Sequence, residues 1–364
     1  MENKTFDLDV ITIGGAAWDV FIRTDDSRII SIRERDYDME YLAFEYGKKV
    51  YLDDMLYLPG GGGNNTAVAF ARLGLQAAFV GCVGQDEEGR HIMMNLKSEG
   101  VRTDYMQRVT GKKTGMSVII NSFEGDRTVF SFRGSNDAIC ITPQLATDLN
   151  RAKWFYLPSI NNETHKSMAC MFESAKQNNI RIACNPGPSQ LKLGLGGLHP
   201  LLEITDIIIM NNREAERLTG RQAKHRFVDN VAAADTLRGE PWISDVRDLM
   251  KMIAEHGPKT VVITEGLKGS QVYDGKQFYW MPPYPSNTVD TLGAGDAFAA
   301  TFVAAQIMNK NVVDALKMAN ANASRVVQEF GAQTGLGKLA QVQEVIDRFP
   351  RVQPLIQDAE LKFR

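Results

Sequence analysis

The chain has 364 residues, 44% of them hydrophobic, enough for one large α/β core with an appendage or for two domains. A formal net charge of −3 with no long Lys/Arg run argues against nucleic acid as a partner, and no segment nears the roughly twenty apolar residues that cross a bilayer. Cys82, Cys140, Cys170 and Cys184 lie far apart without a C-x-x-C pair, and no apolar signal core opens the chain, so a reducing cytoplasm is expected and neither a disulfide framework nor a zinc site is.

In chain order, Val10 to Ile13 reads as a buried strand ending in the Gly14-Gly15 turn, and Val20 to Arg23 as a second extended stretch. Residues 24 to 47 are polar and mixed and support no assignment, whereas 48–52 and 55–58 read as short strands. The run Gly60-Gly61-Gly62-Gly63-Asn64-Asn65 leads into a helix from Thr66 to Leu73, stopped by Gly74. A short strand at 77–81 and a helix at 87–99 follow, then strands 114–121 and 127–132 joined by a hairpin turn at 122–126. From Trp154 onward, continuous apolar strands at 154–157, 180–184, 206–210 and 260–264 alternate with helices, which predicts a parallel sheet covered on both faces. The early hairpins do not fit that rhythm and are expected to form a separate small sheet. Residues 221–243 read as an irregular insertion, and the tail from Pro350 as peripheral.

The chemistry concentrates at Gly293-Ala294-Gly295-Asp296, a glycine turn opening a helix of small apolar residues. A helix N-terminus offers unpaired N–H groups and a positive partial charge, and small residues let a phosphate approach them. Asp296 in the first turn suits a general base, and the alternative reading is an ordinary helix cap. No G-x-x-x-x-G-K-[ST] loop is present, so a phosphate cradle here is not of the P-loop type. His91, His165, His199, His225 and His256 are scattered without metal-ligand spacing.

Gly14-Gly15 with Asp19, the Gly60–Asn65 run, Gly81 to Gly89, Thr114-Gly115, Asn211-Asn212-Arg213-Glu214, Thr264 to Gly269, Asp290 to Asp296 and Gly331-Ala332-Gln333 follow one another over roughly residues 8 to 340. Taken together and in this order, they resemble the ribokinase-like (PfkB) carbohydrate and nucleoside kinases. The resemblance implies a three-layer α/β/α fold with a central mostly parallel sheet and a small β lid. It divides the chain into a large nucleotide-binding domain (1–14, 61–112 and 139–345), a discontinuous lid (15–60 and 113–138) and a tail (346–364). It implies ATP-dependent transfer of a γ-phosphate to a primary hydroxyl, with Asp296 as base and Gly293, Ala294 and Gly295 holding the migrating phosphoryl group.

On the same resemblance Asp19, Gly61, Gly62 and Asn65 look like substrate contacts, with Arg133 at the lid's inner end as a further one. Asn211, Glu214, Thr264, Gly266, Lys268, Gly269, Asn320 and Gly331 are implied at the nucleotide, Glu214 near Mg2+ through water, and Asp290 in a monovalent-cation (K+) loop. Sequence leaves alternatives open: Asn65 as a helix cap, Asn211 with Glu214 as a capping box, and Arg133 as a solvated hairpin residue. It also leaves the acceptor open between a sugar derivative and a nucleoside, the latter kept by Tyr46, Tyr51 and Tyr57. A non-catalytic sensor is a second class, set against an intact Asp296, and a dinucleotide oxidoreductase fails for want of G-x-G-x-x-G. Apolar lid residues Val50, Leu52, Leu56, Val118, Ile120, Val129 and Phe130 suggest a homodimer through the lids, and Gly14–Gly15 with Gly60–Gly63 a hinge.

Overall fold

The computed structural model describes residues 6–33, 38–121, 127–227 and 242–359. The hairpin turn at 122–126, most of the 221–243 insertion and the last five residues lie outside the described residues.

A nine-stranded sheet organises the large domain. Its strands run, in spatial order, Ala77–Val80, Leu8–Ile13, Ala152–Leu157, Arg181–Cys184, Ile207–Asn211 and Thr260–Thr264, all parallel. Ser270–Tyr273, Gln277–Met281 and Leu355–Asp358 then continue the sheet antiparallel. The parallel strands are apolar on both faces because helices cover both. Val10, Trp154 and Tyr156 face one core; Ile11, Phe155 and Leu157 face the other. The first core also takes the helices Gly62–Arg72, Ala294–Ile307 and Val312–Val326. In the Ala294–Ile307 helix every residue from Ala297 to Ala305 is buried, which is why its sequence is small and apolar all round rather than amphipathic. The chain leaves strand Leu8–Ile13 toward Ala77–Val80 on one side and meets Ala152–Leu157 on the other. Such a switch in winding opens a crevice at the strand's carboxyl end, where Gly14 and Gly15 stand.

A separate four-stranded sheet forms the lid, in the order Arg127–Phe132, Gly115–Asn121, Ala17–Arg23 and Asp54–Gly60. One local reading needs correction, and two stretches gain detail. Residues 48–52 are not a strand: Lys48 to Leu52 run as irregular backbone with Tyr51 and Leu52 exposed, because among the described residues no neighbouring strand takes up their backbone groups. The unassigned stretch holds an antiparallel pair, Arg28–Arg33 with Asp38–Ala43. The tail contributes an edge strand, Leu355–Asp358, to the main sheet. The insertion is also ordered at its ends, where Lys224–Phe227 pairs with Trp242–Asp245.

The root of the lid is densely bonded. The Asn136 amide accepts from Ala16 N–H (3.0 Å) and donates to Ala16 C=O (2.8 Å). A Cβ on Gly115 would fall 2.3 Å from Asn136 Nδ2, so only glycine lets that amide slot between the two chain crossings. The Asp86 carboxylate accepts from Thr114 N–H (2.7 Å), Thr114 Oγ1 (2.5 Å) and Gly89 N–H (3.0 Å). The Gly81–Gly89 motif is therefore accounted for as the seat of the lid. Gly14 and Gly63 pack equally tightly: a Cβ on Gly63 would meet Gly14 C at 2.7 Å, so these glycines serve close approach.

Candidate active site

Two glycine-opened helices meet at the mouth of the crevice. The Gly62–Arg72 helix starts from Gly61 at φ 90°, and the Ala294–Ile307 helix from Gly293 at φ 78°. Neither start carries a side-chain cap. The first is closed by backbone instead, with Gly15 C=O accepting from Gly63 N–H (3.0 Å) and Asn64 N–H (3.2 Å). That carbonyl also draws the helix back to Gly62, four residues before the expected Thr66. The second is open: among the described residues Gly295 N–H and Asp296 N–H have no acceptor. An open, dipole-positive end is what an anion requires.

Asp296 lies in the first turn of that open helix, half-buried. It does not cap its own helix. Its Oδ2 accepts from Asn65 Nδ2 across the crevice at 2.8 Å. Asn65 Oδ1 in turn accepts from Gln333 Nε2 (3.1 Å), and Gln333 Oε1 from Asn95 Nδ2 (2.9 Å). Arg72 Nη1 holds the Gln333 carbonyl at 2.7 Å. This chain of amides fixes which end of Asn65 faces the carboxylate. Burial raises the Asp296 carboxyl above its ordinary value, and the Asn65 hydrogen bond pulls the other way. A Cβ on Gly62 would stand 3.5 Å from Asp296 Oδ1, so glycine keeps that approach clear.

Asp19, 5% exposed, sits on the lid's central strand over Gly60, whose hypothetical Cβ would overlap Asp19 Oδ2 at 1.8 Å. Desolvation, resisted by a Ser117 hydrogen bond and helped by the charges of Asp296 and Asp290, pushes its carboxyl up to about 6. Asp19 Oδ1 is buried without a hydrogen-bond partner among the described residues. A buried acceptor left unpaired beside a crevice suits a ligand hydroxyl.

At the carboxyl ends of the parallel strands, Asn211 and Glu214 form the capping box that their spacing allowed, with Glu214 N–H donating to Asn211 Oδ1 (2.9 Å) and Asn211 N–H to Glu214 Oε2 (2.8 Å). Burial still pushes the Glu214 carboxyl up, against the Asn211 N–H, Arg217 and the Asn185 side chain. Thr264 ends its strand level with Asn211. Gly266 is exposed, Lys268 Nζ lies 3.8 Å from Glu265 Oε1, and Gly269 (φ 89°) admits no Cβ against the Met281 carbonyl. Asn320 is buried and donates to Ser270 Oγ and the Leu316 carbonyl, both at 2.9 Å.

Gly331 (φ 86°) lies against the lid's Leu58, and its N–H points to Asp290 Oδ2 at 3.4 Å. Asp290 is paired with Arg127 of the lid, Nη1 to Oδ1 at 3.2 Å. Arg133 is half-exposed and pairs with Asp137 at 2.7 Å, the solvated alternative. Tyr46, Tyr51 and Tyr57 are all exposed. Reading the sequence did not single out Ser117, Arg127, Asn136 or Asn185. Gln333 was quoted only within a motif; its amide character beside Gly331 was the available signal.

The profile of the pfkB family carbohydrate kinases matches residues 28–339. Ribokinase from Bacillus subtilis (strain 168) is 34% identical over 291 residues, covering 79% of this chain and 88% of that protein. A structure of Arabidopsis thaliana ribokinase complexed with ribose and ATP superposes with a TM-score of 0.74 at 23% identity, covering 93% of this chain and 98% of that one. A nucleoside kinase of Methanocaldococcus jannaschii, an archaeal member of the ribokinase family, has a TM-score of 0.68 at 19% identity, covering 94% and 99%. The fold is thus shared by proteins named for different acceptors and does not choose between them. The extent of the profile match and the identity to a ribokinase establish that this chain belongs to the PfkB carbohydrate kinase family, as a phosphotransferase with an alcohol group as acceptor.

Proposed function

We propose that the protein transfers the γ-phosphate of ATP to a primary hydroxyl of a small sugar or sugar derivative, with Asp296 as the general base. The observation that carries this is the pairing of one carboxylate with one open helix end. Asp296 is oriented by Asn65, and the free N–H groups of Gly295 and Asp296 stand beside it. In the reaction the hydroxyl proton passes to Asp296 while the oxygen attacks phosphorus and the bond to the β-phosphate oxygen breaks, releasing ADP. The open N–H groups of Gly295 and Asp296, in the turn built by Gly293 and Ala294, meet charge developing on the phosphoryl oxygens. A raised carboxyl suits a base that works near neutral pH. On the acceptor side, Asp19 offers an unpaired buried oxygen to a hydroxyl, with Gly61, Gly62 and Asn65 at the facing helix start.

Asn211, Asn185 and Glu214 at the carboxyl ends of the strands make an oxygen-rich set with a single carboxylate, which fits a hydrated Mg2+ accompanying ATP. Bound there, the ion would neutralise the charge of the triphosphate. Thr264, Gly266, Lys268 and Gly269 form the neighbouring turn for the nucleotide. The sugar reading comes first because the buried polar group at the crevice, Asp19 with its unpaired Oδ1, suits a hydroxyl. Four unpaired cysteines, with Cys140 exposed, fit a cytoplasmic setting. Exposed Val129, Phe130 and Phe132 on the lid favour a homodimer.

The test is an ATP-consumption screen over pentoses, hexoses, deoxy-keto sugar acids and nucleosides, with Asp296→Asn alongside. Turnover of a sugar is expected, and the variant should bind both ligands while losing about 10²–10⁴ in kcat. Activity confined to nucleosides would reverse the acceptor preference. Nucleotide binding without turnover of any acceptor would support a sensor, and wild-type turnover by the variant would remove Asp296 from its role.

A further inference from the structure

Among the described residues, the lid reaches the turn before Gly293 through the charged side chain of Arg127. Arg127 opens the lid's outer strand, whose remaining residues, Thr128 to Phe132, are all exposed. Its Nη1 reaches Asp290 Oδ1 (3.2 Å) and Thr291 Oγ1 (2.5 Å), residues 163 and 164 positions away in the chain. Asp290 is 5% exposed, and the rest of its carboxylate is spent on the turn itself: Oδ1 accepts from Leu292 N–H at 2.9 Å and Oδ2 faces Gly331 N–H at 3.4 Å. The backbone beneath is pinned too, with Val289 N–H and Asp290 N–H both on the Val327 carbonyl. Immediately after Leu292 come Gly293, Ala294 and Gly295, the open helix end. A second lid residue, Leu58, rests on Gly331 beside the same carboxylate.

A buried carboxylate near two others needs a counter-charge. Asp19 and Asp296 are the other acids here, and the charges of both Asp296 and Asp290 are felt at Asp19. The cation that meets Asp290 comes from the lid, not from the turn itself. We propose that Arg127 is a positioning residue that latches the lid to the Asp290–Gly293 turn, so that the N–H groups of the open helix end are held in place only while the lid is down. This rests on the phosphotransfer reading above. The K+ expected at Asp290 then has a guanidinium carried by the lid in its place, and lid closure and assembly of the phosphoryl-binding turn become one event.

The experiment compares wild type with Arg127→Met, Arg127→Lys, Asp290→Asn and the Arg127→Met/Asp290→Asn double variant, by kinetics and by amide hydrogen exchange without ligands. Exchange is expected to quicken in Arg127→Met both in the lid and in residues 290–296, while the central strands Leu8–Ile13 and Ile207–Asn211 keep their protection. kcat should fall by about 10- to 100-fold, as for a small misplacement of reacting groups, with KM for ATP moving less. Arg127→Lys should recover part of the loss, millimolar guanidinium should rescue an Arg127→Ala enzyme but not wild type, and the double variant should lose less than the sum of its parts. Unchanged exchange at 290–296 in Arg127→Met, or wild-type kcat in that variant, would overturn the latch. The exchange measurement does not need the acceptor, so a wild-type enzyme inert toward every acceptor would count against the proposed function while the latch is still read independently.

Discussion

The two helix starts at the crevice share a glycine at positive φ and the absence of a side-chain cap, yet they are finished differently. At Gly61 the Gly15 carbonyl takes the Gly63 and Asn64 N–H groups; at Gly293, among the described residues, those of Gly295 and Asp296 are left over. The carboxylate beside the closed start, Asp19, would repel an anion and accept a hydroxyl. The open start presents donors to an anion and places its own carboxylate, Asp296, within reach of whatever lies between. The lesson is that glycine at a helix start does not itself mark a phosphate site; what matters is whether the protein has already used the freed donors.

The sharpest way to break this comparison is to strain the open start. Gly293→Ala places a Cβ 2.4 Å from Ala332 Cβ in a backbone conformation that costs an L-residue roughly 1–2 kcal/mol. The turn must shift, and its donors with it. A loss of about 10²–10³ in kcat is expected, with acceptor KM nearly unchanged because the closed start is untouched. Steady-state kinetics decides it: a variant that loses acceptor affinity and keeps kcat would mean the two starts do not divide the work this way.

How much of this could be read from residues alone follows from distance along the chain. The parallel strands announced themselves because both their faces are apolar, as in Ile207–Asn211. The small-residue helix after Gly293 was equally plain. The misread stretch 48–52 carries Val50-Tyr51-Leu52 after two lysines but pairs with no strand among the described residues, and a strand exists only with a partner. Arg28–Arg33 and Asp38–Ala43 alternate only over four residues each, Ile30 to Arg33 and Asp38 to Tyr41, a signal too short to stand out from the mixed sequence around it. The site's own wiring was least visible. Asn65 meets Asp296 across 231 positions and Gln333 across 268, and nothing local encodes either contact. Arg133 looked like a lid arginine aimed inward, but an acid four residues on, Asp137, takes it. Arg127, which does reach the turn, had no local signal.

A second prediction probes the closed side. Asp19 has its carboxyl raised to about 6 from 3.8 in the folded protein, so its ionised form is disfavoured there. Below pH 3.8 it is protonated in both folded and unfolded chains and costs nothing. As pH rises toward 6 the unfolded chain gives up the proton first, and stability falls; above 6 the whole penalty stands, about 3 kcal/mol at most. Asp19→Asn should therefore be more stable than wild type by about 1–3 kcal/mol at pH 7, the gap closing toward pH 4, while acceptor KM rises. Urea melts of both proteins across this range test it, and a gap independent of pH would mean the carboxylate is not strained for function.

The smallest effect comes from a helix start that has nothing to do with the crevice. Asn311 caps the Val312–Val326 helix by accepting from Asp314 N–H at 2.9 Å. Asn311→Ala frees those donors to water and should cost about 1 kcal/mol, seen as a lower melting temperature, with kcat and both KM values unchanged. The Val312–Val326 helix packs directly on the Ala294–Ile307 helix, so the variant also tests a rival explanation. If loosening this neighbour slowed turnover as Gly293→Ala does, the open start would matter for rigidity of the helix pair and not for its unspent N–H groups. Unchanged kcat, beside a measurable loss of stability, separates the two: a capped start stabilises, and an uncapped one is kept for a ligand.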